Sequence, residues 1–175
     1  MKYVITGAQG TGKSTIVKAL SIRHNVSESI SRKLSKTQKI NKEADTESQS
    51  IMFNTFKSEL IKDNYDIYDR GLVDVMAYTI YQYKLGKVSK EEFKREWNEF
   101  GEYVDKHNKN TTYFYLPIEF DVVNDGTRST DEEYRKEIDA NIKFLLMFFN
   151  MNYHTITGNI EERITKIEQI INNYD

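Results

Sequence analysis

Short apolar runs alternate with longer stretches of helical periodicity along the chain, and this alternation predicts an α/β fold. The runs Tyr3–Ile5, Tyr65–Asp69 and Thr111–Leu116 are rich in β-branched or aromatic residues, as buried strands are. Residues 153–157 alternate between apolar and polar side chains and predict a final strand, while residues 25–29 are a weaker candidate for a second strand. Strands joined by helices form right-handed βαβ units, so we expect a mostly parallel sheet with helices on both faces.

Helices are predicted where apolar residues recur every three or four positions. The first is expected from Lys13 to about Arg23. Five further apolar stripes begin, in chain order, at Met52, Leu72, Phe93, Tyr134 and Ile160. The stripe of Phe93, Trp97 and Phe100 is expected in the core rather than on a base-stacking surface.

Polar residues and glycine mark several helix ends. Asp45 or Thr46 is expected to cap the helix that contains Met52. Ser89 and Thr130 each precede a glutamate by three positions, which is the spacing of a capping box. Gly86 is expected to stop the helix before it.

Two segments lack a regular pattern. Residues 31–47 are polar and without apolar periodicity, so we expect a mobile segment or an irregular helix over the active site. Residues 117–130 follow a predicted strand and form a lid-like loop that begins with the only proline of the chain. No repeat or low-complexity linker divides the sequence, so we expect one domain over residues 1–175.

The segment from Gly7 to Ser14 matches G-x-x-x-x-G-K-[ST], the phosphate-binding P-loop, and lies between the first predicted strand and helix. Its glycines let successive N–H groups point at one anion, and the helix N-terminus adds its positive end. In such a loop, Lys13 reaches the β- and γ-phosphates and the Ser14 hydroxyl binds Mg²⁺. The residues expected to contact the nucleotide are Gly7, Gln9, Gly10, Thr11, Gly12, Lys13, Ser14 and Thr15. The sequence therefore predicts binding of ATP, or another nucleoside triphosphate, with Mg²⁺.

Composition narrows the class of protein. Of 175 residues, 38% are hydrophobic and 30% charged, as in a globular domain. Cysteine is absent, which excludes disulfides and thiolate metal sites. No apolar run approaches the roughly 18 residues of a membrane span, and Met1 leads directly into the first strand, so we expect a cytoplasmic protein without a signal peptide.

Charge gives little support for a long nucleic-acid partner. The net charge is −2, without a basic tail. A local basic patch remains open, because positive residues crowd the stretch after the first helix, namely Arg23, Arg32, Lys33, Lys36, Lys39 and Lys42.

Asp69 and Arg70 end a predicted strand, and in parallel α/β sheets ligands bind at the carboxyl ends of strands. Asp69 is a candidate general base for an acceptor hydroxyl, or a group acting on Mg²⁺ together with Ser14. Arg70 is a candidate for stabilising charge on the transferred phosphoryl oxygens. The alternative is that Asp69 caps the following helix and that Arg70 is a surface charge.

Three further charged residues are candidates. Glu28 lies at the end of the weak second strand and is a rival base, with an exposed carboxylate as an equal alternative. Arg128, in the predicted lid, is placed to bring positive charge to the phosphates on closure. Arg135, two turns further on, is a weaker candidate for the same role.

The sequence resembles a group of small P-loop kinases and ATPases that includes the nicotinamide riboside kinase domain, and more distantly the deoxynucleoside and thymidylate kinases. The resemblance lies in Gly-Ala-Gln-Gly-Thr-Gly-Lys-Ser-Thr, Tyr-Asp-Arg-Gly-Leu-Val-Asp and Asp-Gly-Thr-Arg-Ser-Thr-Asp-Glu-Glu-Tyr-Arg. The closing Ile-Thr-Gly-Asn-Ile-Glu-Glu-Arg-Ile fits the same group, so the resemblance covers nearly the whole chain. It implies a three-layer P-loop NTPase fold. The Lys/Asn/Ile-rich composition also looks phage-like, which would place the protein in the host cytoplasm.

By this resemblance Lys13, Ser14, Asp69, Arg70 and Arg128 take part in phosphate binding, magnesium binding and phosphoryl transfer. Glu28 matches a glutamate that faces the acceptor hydroxyl in related nucleoside kinases. The implied activity is Mg²⁺- and ATP-dependent phosphorylation of a nucleoside or (deoxy)nucleoside monophosphate.

Two other functions stay open at this point. The basic stretch 32–42 favours a kinase that acts on a polynucleotide, at a terminal hydroxyl or a hydroxymethylated base. A regulatory module that binds a nucleoside triphosphate without turnover would share the P-loop and would not depend on Asp69.

Overall fold

The computed structural model describes residues 1–119 and 132–174. Its centre is a four-stranded, wholly parallel sheet with the strand order β2-β1-β3-β4. The strands are β1 (Lys2–Thr6), β2 (Ile67–Asp69), β3 (Thr111–Tyr115) and β4 (Tyr153–Thr155). The predicted α/β fold with a parallel sheet is confirmed.

Seven α-helices surround the sheet in the described ranges. They are α1 (Lys13–Leu20), α2 (Ile30–Leu34), α3 (Thr46–Lys62), α4 (Leu72–Lys84), α5 (Lys90–His107), α6 (Glu132–Phe148) and α7 (Ile160–Tyr174). Single 3₁₀ turns at Asn41–Glu43 and Asn108–Asn110 precede α3 and β3.

Alternate residues of the strands pack against helices on opposite faces of the sheet. Val4, Tyr68 and Tyr113 belong to the larger core, where α4 packs against α3, α5 and α6. Ile5 and Ile67 belong to a smaller core that α1 and α7 close. The predicted layers of helices on both faces are therefore confirmed.

The register of the sheet brings the predicted site residues together. Ile5 of β1 pairs with Asp69 of β2, and the Arg70 N–H donates to the Ile5 carbonyl over 3.0 Å. On the other side of β1, Thr6 pairs with Tyr115. The P-loop therefore leaves the sheet between the ends of β2 and β3, where α/β sheets bind ligands.

The predicted strand at residues 25–29 is wrong. The backbone of this segment makes one isolated bridge to β2, between Val26 and Ile67. The ladder goes no further, because the next N–H of β2, that of Asp69, donates over 3.0 Å to the Ser27 hydroxyl rather than to a backbone carbonyl. The strand that ends at Asp69 is consequently the second of the described strands, not the third.

Residues 31–47, expected to be a mobile segment or an irregular helix, comprise most of α2, the turn at Asn41–Glu43 and the start of α3, joined by irregular backbone. Asp45 rather than Thr46 caps α3, because its carboxylate accepts the Ser48 N–H over 3.0 Å and its own N–H donates to the Ser48 hydroxyl over 2.9 Å. The predicted cap at Thr130 lies outside the described residues.

Only half of the predicted capping box at Ser89 forms. The Ser89 hydroxyl accepts the Glu92 N–H over 3.1 Å. The reciprocal partner is the Thr46 hydroxyl, which accepts the Ser89 N–H over 3.0 Å, because the Glu92 carboxylate is bound to Arg95. The start of α5 is thus tied to the start of α3.

No helix in the described ranges has both the length and the apolar composition needed to cross a bilayer.

The first prediction concerns the start of α5. Ser89→Ala is expected to lower the free energy of unfolding by about 1 kcal/mol, because one N–H at the helix start loses its acceptor. Ser89→Asp should retain most of the stability, since a carboxylate caps equally well. Urea-induced unfolding measures the effect, with the exposed mid-helix Ser58→Ala as control. Equal stability of Ser89→Ala and the native protein would contradict this account of the cap.

Candidate nucleotide and acceptor cleft

The cleft at the carboxyl ends of β1 and β2 has a volume of about 380 Å³. One end is formed by the P-loop and the start of α1, with Gly12, Lys13 and Ser14. The other end lies between α2, α3 and α4, and Asp69 and Arg70 also line the cleft. Both predicted halves of a transfer site therefore face one cavity.

The path of the P-loop requires glycine at two positions. Gly7 has φ +148°, and a Cβ there would lie 2.5 Å from the Leu116 carbonyl oxygen at the end of β3. Gly12, at the N-terminus of α1, has φ +90°. Both are backbone conformations that other residues rarely adopt. The loop can therefore curl against the sheet and turn into α1 only with glycines at these places.

Lys13 lies over the loop and is 5% exposed. Its ammonium group donates to the Gly7 carbonyl over 2.6 Å, to the Ala8 carbonyl, and to the Thr11 hydroxyl at 3.3 Å. This location, inside the ring of P-loop backbone, is the one from which an ammonium reaches phosphate oxygens.

Two fully buried arginines hold the loop from outside. Arg135 of α6 donates from Nε to the Gln9 carbonyl over 2.9 Å and from Nη2 to the Gly10 carbonyl over 3.4 Å. Arg163 of α7 donates from Nη1 to the Thr11 carbonyl over 2.7 Å. These contacts hold the loop carbonyls toward α6 and α7, and in a P-loop the backbone N–H groups on the inner side of the curve are the ones that bind an anion.

Arg135 was a candidate for bringing positive charge to the phosphates, but in the structure it binds carbonyl oxygens of the P-loop. Its guanidinium is 1% exposed and also pairs with Glu132 over 2.9 Å. Arg163, which sequence reasoning missed, pairs with Glu119. Both arginines lie on the buried faces of their helices. The apolar stripes of α6 and α7, which mark these faces, were the only signal in the sequence that pointed to them.

The Ser14 hydroxyl has a cationic neighbour, Arg32, which the sequence analysis named only as one charge of the basic stretch 32–42. Arg32 of α2 donates from Nη2 to the Ser14 hydroxyl over 3.0 Å and lines the cleft. In the described part of the chain, no carboxylate lies within ion-pair distance of this guanidinium, unlike those of Arg70, Arg95 and Arg135. Arg32 therefore adds a positive charge at the phosphate end of the cleft.

Arg70 has φ +75°, a left-handed conformation that is strained for a residue other than glycine. Such strain is typical of functional sites, because it sets the direction of a side chain. Here Asp69 is 7% exposed and lines the cleft with Arg70, while the Asp69 N–H donates to the Ser27 hydroxyl over 3.0 Å. The turn holds a carboxylate and a guanidinium side by side at the edge of the sheet.

Asp74, one turn into α4, connects this turn to the P-loop. Its carboxylate accepts the Gly71 N–H over 2.9 Å, the Gly7 N–H over 3.4 Å and Nη1 of Arg70 over 3.3 Å. Burial raises the pKa of Asp74, while the charges of Arg70 and Lys13 act in the opposite direction. Asp74 was noted only as the last residue of a motif, and the fold gives it the role of a connector.

The predicted rival base lies elsewhere. Glu28 is on the surface, its carboxylate 71% exposed and paired with Lys33, and that contact lowers its pKa. It is absent from the described residues that line the cleft, whereas Asp69 is among them. Arg128 lies outside the described residues.

The far wall of the cleft is apolar. Met52 and Phe56 of α3 face Val75 and Tyr78 of α4 across it, and Gln49 lies at the same wall. Phe56 belongs to the larger core and lines the cleft as well, and Met52 packs against that core. A flat, partly aromatic ligand group fits such a wall.

Ser14 and Asp69 both line the cleft and offer a hydroxyl and a carboxylate, which are oxygens that Mg²⁺ can bind. Mg²⁺ commonly binds one or two protein oxygens and completes its shell with phosphates and water. The residues present therefore fit an ion that binds together with a nucleotide.

The second prediction tests the P-loop. Lys13→Ala is expected to raise the Kd for ATP by roughly 10- to 100-fold, because a buried ammonium no longer binds the phosphates. The control is Lys18→Ala, an exposed lysine of the same helix, which should leave the Kd unchanged. Isothermal titration calorimetry with Mg²⁺ gives both values, and equal affinity for the two variants would contradict the assignment of the loop.

Solved structures share this fold at low sequence identity. The deoxyadenosine kinase of M. mycoides, solved with the products dCMP and a flexible dCDP, has a TM-score of 0.68 at 18% identity over 100% of both chains. The NadR protein in complex with NR has a TM-score of 0.72 at 21% identity, over 97% of this chain and 50% of that one. The YorR protein of Bacillus subtilis, in complex with phosphorylated GDP, has a TM-score of 0.58 at 17% identity, over 98% and 96%.

None of the curated proteins compared with the chain matches it. The model of a family described as AAA domain matches residues 2–163, which include the P-loop, the Asp69–Arg70 turn and the start of α7. The chain belongs to the AAA domain family.

Proposed function

We propose that this protein is a phosphotransferase that moves the γ-phosphate of Mg²⁺-ATP to a nucleoside or a (deoxy)nucleoside monophosphate. The observation that carries the proposal is one cleft that holds a P-loop at one end, an apolar wall at the other, and Asp69 among its lining residues. A protein that only binds a nucleotide has no need for the second half of this cleft.

The P-loop end of the cleft takes the triphosphate. The loop N–H groups, the N-terminus of α1 and Lys13 supply positive charge to the phosphates. Ser14 and Asp69 would hold Mg²⁺ at this end, and the bound ion would supply positive charge to the phosphates. Arg32, at the Ser14 hydroxyl, adds a further positive charge at this end.

The other end of the cleft takes the acceptor. Met52, Phe56 and Val75 provide an apolar wall for a base or similar ring, which leaves the acceptor hydroxyl to face Asp69. Asp69 orients this hydroxyl and accepts its proton, while Arg70 stabilises charge on the transferred oxygens. Phosphoryl transfer requires mainly positioning and electrostatic stabilisation, which this arrangement supplies.

The remaining parts of the proposal rest on the sequence alone. The proposal includes the predicted lid at residues 117–130, of which residues 120–130 lie outside the described part of the chain; its Arg128 would bring positive charge to the phosphates and help to exclude water. Residues 1–175 form one kinase domain, and the location is cytoplasmic.

The structural neighbours support the choice of acceptor. One is named a deoxyadenosine kinase, and the other two were solved with NR and with phosphorylated GDP. The same fold thus accommodates nucleosides and nucleotides at identities of 17–21%.

A polynucleotide acceptor is less well supported. Several charges of the basic stretch are engaged: Lys33 pairs with Glu28, Lys39 pairs with Asp45 over 2.7 Å, and Lys42 lies over the Tyr134 ring at 5.1 Å. Arg32 points to Ser14 inside the cleft. These contacts leave less positive charge for a phosphodiester backbone than the sequence suggests.

The third prediction separates the two candidate bases. Asp69→Asn is expected to lower kcat for the preferred acceptor by at least ~10²-fold while the affinity for ATP stays nearly the same. Glu28→Gln, which removes a surface carboxylate, should change kcat by less than about twofold. Steady-state kinetics and ATP titration of both variants measure these effects.

The opposite result would be decisive. If Glu28→Gln lost turnover and Asp69→Asn kept it, the base would be Glu28 and the geometry given for the acceptor would be wrong. If neither variant changed the fate of ATP, a regulatory nucleotide-binding module would account for the chain better.

A further inference from the structure

The Ser14 hydroxyl is a contact point for two positive charges. Arg32 of α2 donates to it from Nη2 over 3.0 Å, and the two residues line the same cleft. The same hydroxyl is one of the oxygens that fit Mg²⁺ when a nucleotide is bound. A guanidinium and a divalent ion therefore share one oxygen at the phosphate end of the cleft.

The two partners of this oxygen oppose each other. Mg²⁺ binds its oxygen ligands at about 2.1 Å. With Nη2 of Arg32 at 3.0 Å from the same atom, the nitrogen and the ion can be no more than about 5 Å apart. Like charges at this distance repel, so the Arg32–Ser14 hydrogen bond and a Ser14–Mg²⁺ bond weaken each other.

The Arg32 side chain can change its partner at little cost. The bond to Ser14 is the only hydrogen bond of its guanidinium among the described residues, and no carboxylate there lies within ion-pair distance. Arg70, by comparison, is held by Asp74 at 3.3 Å. Arg32 is also exposed, so a rotation of its side chain leaves the core intact.

The backbone of α2 is better held than this side chain. Ile30 is buried, and Leu34, one turn later, packs against the larger core. Arg32 lies between them in the chain, and Ser31 and Ser35 line the cleft with it. A guanidinium that leaves Ser14 therefore stays close to the phosphate end.

The other cations of the cleft do not share this position. The four that line it in the described ranges are Lys13, Arg32, Lys39 and Arg70. Lys13 binds carbonyls of the P-loop, while Lys39 and Arg70 are each paired with an aspartate. Of these four, Arg32 is the one that contacts the Ser14 hydroxyl.

We propose that Arg32 substitutes for Mg²⁺ at Ser14: its guanidinium neutralises the phosphates of a metal-free nucleotide, and it leaves the Ser14 hydroxyl when the ion binds. The inference rests on the proposed function for the ligand, a nucleoside triphosphate that binds with Mg²⁺, but not on transfer to an acceptor. Because coupling between two ligands of one site is reciprocal, Arg32 should reduce the gain in nucleotide affinity that Mg²⁺ brings.

The test measures the Kd of a non-hydrolysable ATP analogue by calorimetry, in EDTA and in saturating Mg²⁺ at equal ionic strength. Arg32→Ala is expected to raise the Kd about fivefold without Mg²⁺, as for one partly screened contact with a phosphate, and less than about twofold with it. Arg32→Gln should behave like Arg32→Ala, because it keeps a donor for Ser14 but not the charge.

The matched control is Lys36→Ala. Lys36 is an exposed cation shortly after α2 and is absent from the described residues that line the cleft. Its removal changes the net charge by the same amount, so it should alter the Kd equally, and only slightly, in the two conditions.

NMR gives a second readout that needs no comparison of affinities. The Arg32 Nε–H signal is assigned by its loss in Arg32→Gln, and it should shift when Mg²⁺ is added to the complex with ADP. The Nε–H signal of Arg23, an exposed arginine after α1, should not shift.

An equal rise of the Kd with and without Mg²⁺ in Arg32→Ala would make Arg32 an ordinary phosphate contact and overturn the proposal. An unchanged Kd in EDTA, no binding of metal-free analogue by the native protein, or an Arg32 signal indifferent to Mg²⁺ would overturn it as well. Failure to phosphorylate any acceptor would instead overturn the proposed function, and neither measurement on Arg32 uses an acceptor.

Discussion

The site depends on how the backbone carbonyls of residues 7–11 are held. Lys13 engages them from inside the loop, and Arg135 and Arg163 engage them from outside. Each of these cations is buried, so leaving a carbonyl without its donor would cost the desolvation of a polar group as well as a contact. The last helices of the chain therefore fix the shape of a loop formed by its first residues.

Asp74 extends the same constraint to the second strand. By accepting from both the P-loop and the turn after β2, it couples the position of the phosphate end to that of Asp69 and Arg70. The strained backbone of Arg70 is tolerable because its N–H and its side chain are both engaged, by Ile5 and by Asp74. A nucleotide and an acceptor would accordingly meet in a cleft whose two halves are joined by hydrogen bonds.

Local signals in the sequence predicted much of the fold and of the candidate site. The P-loop, the strands that flank it and the Asp69–Arg70 turn follow from residues adjacent in the chain, and the structure has them where they were expected. The strand at residues 25–29 was wrong, because the Ser27 hydroxyl rather than a backbone carbonyl accepts the Asp69 N–H, so the bridge at Val26 does not extend into a ladder.

The functional residues that the sequence did not reveal have one feature in common. Arg163 looks like an ordinary polar position of an amphipathic helix, and its partner in the P-loop is 152 residues away. Arg32 was visible only as one charge of a basic stretch. No pattern within a single helix distinguishes a buried ion or a cleft-facing cation from a surface charge, because the difference lies in how the helices pack.

The fate of the γ-phosphate of labelled ATP tests the central claim most directly. The protein would be offered Mg²⁺ and, in parallel, nucleosides, nucleoside monophosphates, nicotinamide riboside and hydroxyl-ended or hydroxymethylated DNA. The account predicts label on a nucleoside or a nucleoside monophosphate. Label on DNA alone, or binding of ATP without transfer to any acceptor, would contradict it.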